Sequence, residues 1–179
     1  MSLFKQPSEL QPKFAISALI YGSPGSGKST LACSAPNAVL LDYDGGVTRM
    51  HGAHQIPTLQ ITNWEQTQEA LKEIRESPQI QTVVIDTIGK MLAFMETYIK
   101  QHPTYSKGGS AIEMNRDGSL SMKGFGRRKQ MFLDFLKEVM VMGKHIIFVG
   151  HDKEEKRGDA GQDIIIRPEV GGSSANDLM

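Results

Sequence analysis

The chain has 179 residues, and its twenty basic and twenty acidic side chains give a formal net charge of zero and a pI near 7.0. This length fits one domain and excludes a second large one. Zero net charge excludes a general attraction to nucleic acid or membrane, so any such preference must be local. A single cysteine, Cys33, excludes a disulfide framework, and no apolar run approaches the roughly 18 residues of a membrane span. We therefore expect a cytoplasmic protein with no membrane partner.

Apolar runs alternate with turn signals along the first part of the chain. Residues 1–13 contain two prolines and predict a flexible lead-in, so we expect the domain to occupy residues 14–179. The domain opens with a predicted strand over 14–21, a helix over 27–34 and a strand over 38–42. Strands that alternate with helices form parallel sheets. The pattern therefore predicts an α/β fold with three layers and a mostly parallel sheet.

The alternation continues through the rest of the chain. Residues 102–126 are rich in glycine, serine and lysine and predict an irregular loop that is either functional or disordered. Two short strands broken by glycines are expected in the tail. Methionines at helical spacing predict core packing, not metal binding. The remaining predicted elements are strands over 59–61, 82–85 and 145–149, a helix capped by Asn63, and helices over 88–99 and 127–142.

The most specific feature is a glycine-rich loop between the first strand and the first helix. Its sequence is Gly22-Ser23-Pro24-Gly25-Ser26-Gly27-Lys28-Ser29, followed by Thr30, and it satisfies G-x-x-x-x-G-K-[ST] at each fixed position. Glycines let backbone N–H groups surround phosphate oxygens, and the helix N-terminus adds to the attraction. We expect Lys28 between the β- and γ-phosphates and the Ser29 hydroxyl on Mg²⁺. The loop therefore predicts a nucleoside triphosphate site.

Two other interpretations of this loop are weaker. An ordinary Gly-Ser turn would have to match both the pattern and its strand-to-helix context by chance. A dinucleotide-binding G-x-G-x-x-G loop would need a glycine where Thr30 stands.

Acidic residues follow two of the predicted strands. Asp86 ends the strand over 82–85, where a carboxylate can hold Mg²⁺ beside the phosphate loop; the alternative is an N-cap for the next helix, and both roles are compatible. Asp42 and Asp44 follow the strand over 38–42, and period-2 geometry is expected to point both to one side. Asp44 is the better candidate for a base that activates water, and Asp42 is secondary. The alternative is an acid-rich turn in which these side chains bond the local backbone.

His151 follows the strand over 145–149. It would lie close to the γ-phosphate if that strand ran between the phosphate-loop strand and the Asp86 strand. A lone histidine at a strand end is more often a satisfied surface residue.

The order of these parts resembles the RecA-like ATPase core. It resembles more narrowly the phage-encoded ATP-binding proteins related to RecA that act in recombination and single-strand annealing, from about Phe14 to the end. The resemblance implies ATP as the nucleotide, a bacterial host cell and subunit contacts. By position it implies that Asp44 replaces the catalytic glutamate, that Asp86 is the magnesium ligand, and that His151 replaces the glutamine that senses the γ-phosphate. Both replacements predict slow hydrolysis.

The same resemblance extends to the C-terminal part and to DNA. RecA-like sheets gain further strands after the His151 position, so we expect the natural protein to continue beyond Met179. The loops after Asp86 and His151 correspond to those that hold single-stranded DNA. Residues 107–129 have six basic and two acidic side chains, a local charge of +4, with Tyr105 and Phe125 nearby. Residues 105–129 therefore predict a DNA surface.

Two details of this assignment are left open. Residues 153–170 have a local charge of −1, for which a solvated loop is an equally good interpretation. Arg127 or Arg128 could act as an arginine finger toward a neighbouring subunit.

Three functions remain possible from the sequence. The first is a RecA-like ATPase that assembles on single-stranded DNA. The second is a small-molecule or nucleotide kinase, in which residues 102–129 would form the lid. The third is a nucleotide-gated binding module without turnover.

Overall fold

A computed structural model describes residues 15–157 and 163–169. The predicted lead-in over residues 1–13, the glycines of the tail and the expected continuation past Met179 lie outside these ranges. The described elements in chain order are β1 (Ser17–Gly22), α1 (Lys28–Cys33), β2 (Ala38–Asp42), 3₁₀ turns at Gly46–Arg49 and Gly52–His54, β3 (Thr58–Gln60), α2 (Trp64–Glu76), β4 (Thr82–Asp86), α3 (Ile88–Gln101), α4 (Met122–Val141), β5 (His145–Arg157) and β6 (Asp163–Pro168).

The strands form one sheet in the order β3-β2-β4-β5-β1, in which all neighbours are parallel. The outer part of β5 pairs with β6 in antiparallel fashion. In the register, Asp42 lies opposite Asp86, and Gly22 lies opposite His151. All four residues therefore lie near the carboxyl edge of the sheet, where open α/β sheets bind ligands.

Helices cover both faces of the sheet. Along β4, Val83 and Ile85 pack into the larger apolar cluster, under α2, α3 and α4. Val84 points the other way, into a smaller cluster that includes Ala32 of α1. This alternation is the period-2 geometry of a strand buried on both faces. The predicted α/β fold with a mostly parallel sheet and flanking helices is confirmed, and it is that of a P-loop NTPase core.

The spaced methionines of α3 belong to the core. Met91 and Met95 are fully buried and pack within the larger cluster. Their prediction as core residues is confirmed. Among the described residues, no helix is both long and apolar enough to cross a bilayer.

Helix α4 begins at Met122, not at residue 127 as the sequence predicts. Ser121 caps it, because its hydroxyl oxygen accepts a hydrogen bond from Gly124 N at 3.2 Å. Gly124 and Gly126 lower the helix propensity of the first turns, which explains why the early start was missed. Strand β5 also extends beyond its predicted end, since it continues past Val149 into the hairpin with β6.

The loop from residue 102 to 121 is more ordered than its composition predicts. Isolated bridges join Tyr105 to Ala111 and Met114 to Leu120. Glu113, only 4% exposed, accepts a hydrogen bond from Thr104 N at 2.8 Å and lies 3.2 Å from Arg127 Nη1. Burial opposes its charge, but the hydrogen bonds from Thr104 and the charge of Arg127 lower the pKa of Glu113. A buried, ionised glutamate therefore anchors this loop to α4.

Candidate functional site

A cavity of about 680 Å³ opens at the carboxyl edge of the sheet. Its walls come from the loop after β1, the start of α1, the segment after β2, the start of α3 and the middle of β5. Nine residues that the sequence singles out line it, namely Pro24, Gly25, Gly27, Lys28, Ser29, Thr30, Asp44, Asp86 and His151. The fold thus brings residues from distant parts of the chain to one concave surface.

The glycine-rich loop has the backbone conformation that its sequence predicts. Gly25 and Gly27 have φ angles of 78° and 82°, in the left-handed region that favours glycine. Gly27 directly precedes α1, so the N-terminus of that helix faces the cavity. The loop therefore presents backbone N–H groups and the positive end of α1 to an anion.

Lys28 is the buried cation of this loop, with 9% of its surface exposed. Its Nζ donates hydrogen bonds of 2.8 Å to the carbonyl oxygens of Gly22 and Ser23. Ser26 N donates to Ser23 O at 3.3 Å and closes the turn. The cavity lining does not include Gly22, Ser23 or Ser26. The carbonyls of Gly22 and Ser23 instead hold the Lys28 ammonium in place.

Ser29 and Asp86 meet at the base of the cavity. Ser29 Oγ donates a hydrogen bond of 2.5 Å to Asp86 Oδ2, and Asp86 is 5% exposed. Burial raises the pKa of Asp86, the bond from Ser29 counteracts this, and Asp44 and Asp42 nearby raise it further. A hydroxyl beside a carboxylate is an oxygen set suited to Mg²⁺.

Asp86 does not cap the helix that follows it. Helix α3 begins at Ile88, and its N-cap is Thr87, whose hydroxyl oxygen accepts from Lys90 N at 3.5 Å. The alternative interpretation of Asp86 as the cap is therefore wrong.

Asparagine at position 86 should stabilise the nucleotide-free protein at neutral pH. The pKa of the folded Asp86 lies above its ordinary value of 3.8, so the folded chain keeps this proton to higher pH than the unfolded chain. Stability contributed by Asp86 is therefore lost as pH rises from about 4 through the raised pKa. We expect Asp86→Asn to raise Tm at pH 7, with the gain vanishing below about pH 4.

Thermal unfolding across pH tests this expectation, and Asp42→Asn is the matched control. Asp42 is equally buried, but its carboxylate accepts hydrogen bonds from backbone N–H groups, so the control should lower Tm at pH 7. A fall in Tm for Asp86→Asn at pH 7 would contradict the expectation.

Asp42 and Asp44 differ in what they contact. Asp42 accepts hydrogen bonds of 3.1 Å from Gly46 N and Val47 N. For Asp42, the alternative interpretation as part of an acid-rich turn that bonds the local backbone is therefore correct. Asp44 lines the cavity, and its Oδ1 accepts from Gly46 N at 2.9 Å. Gly46 N thus donates to both carboxylates, so Asp44 also takes part in the acid-rich turn, and the expectation that the two acids point to one side stays a prediction.

His151 lies on a strand between the phosphate-loop strand and the Asp86 strand, which is the condition for its predicted position. It lines the cavity, and among the described residues its buried Nδ1 has no hydrogen-bond partner. The next residue, Asp152, accepts a hydrogen bond of 3.0 Å from Ser23 Oγ. Strand β5 is thus joined directly to the phosphate loop.

The sequence interpretation missed one wall of the cavity. This wall follows Asp44 and includes the first 3₁₀ turn, Gly46–Arg49. The segment follows β2, a strand of the parallel sheet, so it starts at the carboxyl edge, and this could have indicated its position. The missed lining residues of this wall are Gly46, Arg49, Met50, His51 and His54, and Thr87 lines the cavity beside Asp86.

Arg127 and Arg128, by contrast, do not line the cavity. Arg127 Nη1 donates to His102 O and to Glu113, at 2.7 and 3.2 Å. Arg128 pairs with Glu96 at 3.4 Å, and its guanidinium lies 5.0 Å from the centre of the Phe125 ring. Both side chains are engaged within their own chain, so an arginine finger at either position would have to release these contacts.

Sequence comparison agrees with this geometry. Residues 15–179 match the family described as AAA domain. The chain belongs to the AAA domain family. Members of this family are generally ATPases. Membership therefore supports nucleotide binding by this AAA domain, at the glycine-rich phosphate loop. No curated protein matches the chain.

Proposed function

We propose that this AAA domain binds ATP with Mg²⁺ in the cavity and hydrolyses it slowly. The main support is that the Lys28 ammonium and the Ser29–Asp86 pair face one concave space behind a glycine-rich loop. In the proposal, Lys28 and the loop amides hold the β- and γ-phosphates, which brings positive charge to where negative charge develops during transfer. Ser29 and Asp86 hold Mg²⁺, and the resemblance supplies the preference for ATP.

Hydrolysis in this proposal depends on Asp44 and His151. Asp44 orients the attacking water, and His151 contacts the γ-phosphate through a ring whose Nδ1 has no partner among the described residues. Aspartate reaches less far than glutamate, and one oxygen of Asp44 already accepts from Gly46 N. We therefore expect slow turnover despite tight binding.

The proposed setting is a RecA-like ATPase of phage DNA recombination or single-strand annealing that acts as a homo-oligomer. The strand order supports the RecA-like part, because the His151 strand lies between the strands of Gly22 and Asp86. The DNA part is supported by exposed side chains within residues 105–129. With Arg127 and Arg128 engaged elsewhere, the exposed set is Tyr105, Lys107, Arg116, Lys123 and Phe125.

Single-stranded DNA should bind this surface in a salt-dependent manner. Alanine at Lys107, Arg116 and Lys123 removes three cations, so the slope of log K against log salt should fall by roughly two. The measurement is fluorescence anisotropy of a labelled oligonucleotide over a salt series, with ATP turnover recorded with and without DNA. A matched control variant has alanine at Lys72, Arg75 and Lys137, which are exposed on α2 and α4.

The outcomes of these assays separate the alternative functions. DNA that neither binds nor changes turnover would contradict the recombination role. Turnover that requires an acceptor molecule would favour a kinase, although none of residues 102–129 lines the cavity as a lid would. Tight ATP binding without turnover would favour a nucleotide-gated module.

A further inference from the structure

We propose that Arg49 binds the terminal phosphate of the nucleotide and exchanges its contact with Asp44 for that phosphate when the site fills. This inference rests on the proposed function, since it names a further residue of the same site. It also assigns a role to the wall of the cavity that the motif does not reveal.

The position of Arg49 is fixed by a short, well-held turn. Arg49 is the last residue of the 3₁₀ turn Gly46–Arg49, and the buried Asp42 carboxylate accepts hydrogen bonds from the N–H groups of Gly46 and Val47. Lys28 and Arg49 are the two Lys or Arg side chains among the described residues that line the cavity. Arg49 therefore lines the same cavity as the phosphate loop.

The contact of Arg49 with Asp44 is weak. Arg49 Nη2 lies 3.9 Å from Asp44 Oδ2, which is too long for a hydrogen bond, and the Arg49 side chain is 74% exposed. Exposed ion pairs of this kind contribute little to stability. A guanidinium binds phosphate oxygens with two parallel, charge-assisted hydrogen bonds, which are much stronger. An arriving phosphate should therefore displace Asp44.

Gly46 leaves the room that this pair needs. A Cβ atom at position 46 would lie 2.8 Å from Asp44 Oδ1 and 3.3 Å from Arg49 Nη2. Such contacts are tighter than side chains normally make, so any larger residue would push the two groups apart. The absence of a side chain at position 46 thus leaves room for the carboxylate and the guanidinium beside each other.

Charge in the cavity favours a second cation. Asp44 and Asp86 both face the space, and the triphosphate with its Mg²⁺ remains negative. Lys28 alone offers one positive charge against these groups. When Arg49 turns to the terminal phosphate, Asp44 Oδ2 loses its cation and becomes available to water, so filling the site would also prepare the base.

The test compares affinities for a non-hydrolysable triphosphate analogue and for ADP, both with Mg²⁺, by calorimetry. Arg49→Ala should weaken triphosphate binding by about tenfold and leave ADP within about twofold, because one charge-assisted contact is lost. Arg49→Lys should recover part of the loss. Asp44→Asn should strengthen triphosphate binding, since it removes the competing carboxylate.

Two controls make the result decisive. Arg75→Ala removes an arginine from another exposed ion pair, with Glu138, outside the cavity, and should change neither affinity. Lys28→Ala tests the proposed function itself, since its failure to weaken binding would overturn the phosphate site as a whole. If Lys28→Ala weakens binding and Arg49→Ala does not, or Arg49→Ala weakens both nucleotides equally, only the role of Arg49 is overturned. A merely structural role would make Arg49→Ala and Asp44→Asn change affinity in the same direction, which would also overturn it.

Discussion

Replacing Lys28 with alanine is expected to weaken binding of Mg²⁺-ATP by at least about a hundredfold. The ammonium is buried at the loop, where it donates to the carbonyls of Gly22 and Ser23, and it exchanges these bonds for stronger ones to charged phosphate oxygens when the nucleotide arrives. Charge-assisted hydrogen bonds contribute about 1.5–3 kcal/mol each, and two of them account for a hundredfold change. Calorimetric titration of the wild-type and Lys28→Ala proteins measures the difference directly.

Two controls separate loss of binding from loss of folding. Because the part-buried carbonyl oxygens of Gly22 and Ser23 lose their donor in Lys28→Ala, its circular dichroism and Tm without nucleotide must show that it still folds. Lys28→Arg keeps the charge and should bind more tightly than Lys28→Ala. A folded Lys28→Ala protein that binds ATP within threefold of wild type would contradict the assignment of the loop.

The second large effect is expected at Gly124. A Cβ atom there would overlap the backbone carbonyl oxygen of Glu113 and lie 2.9 Å from Leu120 Cδ2. Because the clashing atom belongs to the backbone, the loop from residue 102 to 121 must separate from α4. We expect Gly124→Ala to lower the free energy of unfolding by about 3 kcal/mol, the upper end for an overpacked site. Urea unfolding monitored by circular dichroism gives this value.

Gly126 provides the matched control in the same helix. A Cβ atom at position 126 meets nothing within 4 Å. Since alanine favours helix over glycine, Gly126→Ala should raise stability by about 0.5–1 kcal/mol. Similar effects for the two variants would contradict the close packing of Gly124 against the Glu113 backbone.

The phosphate loop could be predicted from sequence because all its constraints are local. The glycines, Lys28 and Ser29 occupy fixed positions within a few residues, and an apolar strand precedes them. Asp86 could be placed for a related reason, because a buried parallel strand ends at the edge where ligands bind. The general rule for open α/β sheets was therefore enough to predict that Asp86 lies close to the phosphate loop.

The remaining parts of the site depend on contacts between distant residues. Asp42 and Asp44 look equivalent in the sequence, and only the fold shows that Asp44 lines the cavity and Asp42 does not. Glu113 and Glu96 engage Arg127 and Arg128, and the sequence does not reveal these pairs. Arg49 was missed because no motif includes it.

The most direct test of the central claim is a crystal structure with a non-hydrolysable ATP analogue and Mg²⁺. We expect the phosphates to contact the backbone N–H groups of residues 25–29, with Lys28 Nζ moved from the two carbonyls to a phosphate oxygen and Mg²⁺ beside Ser29 and Asp86. An analogue bound away from this loop, or a loop whose N–H groups make no contact with phosphate, would contradict the claim.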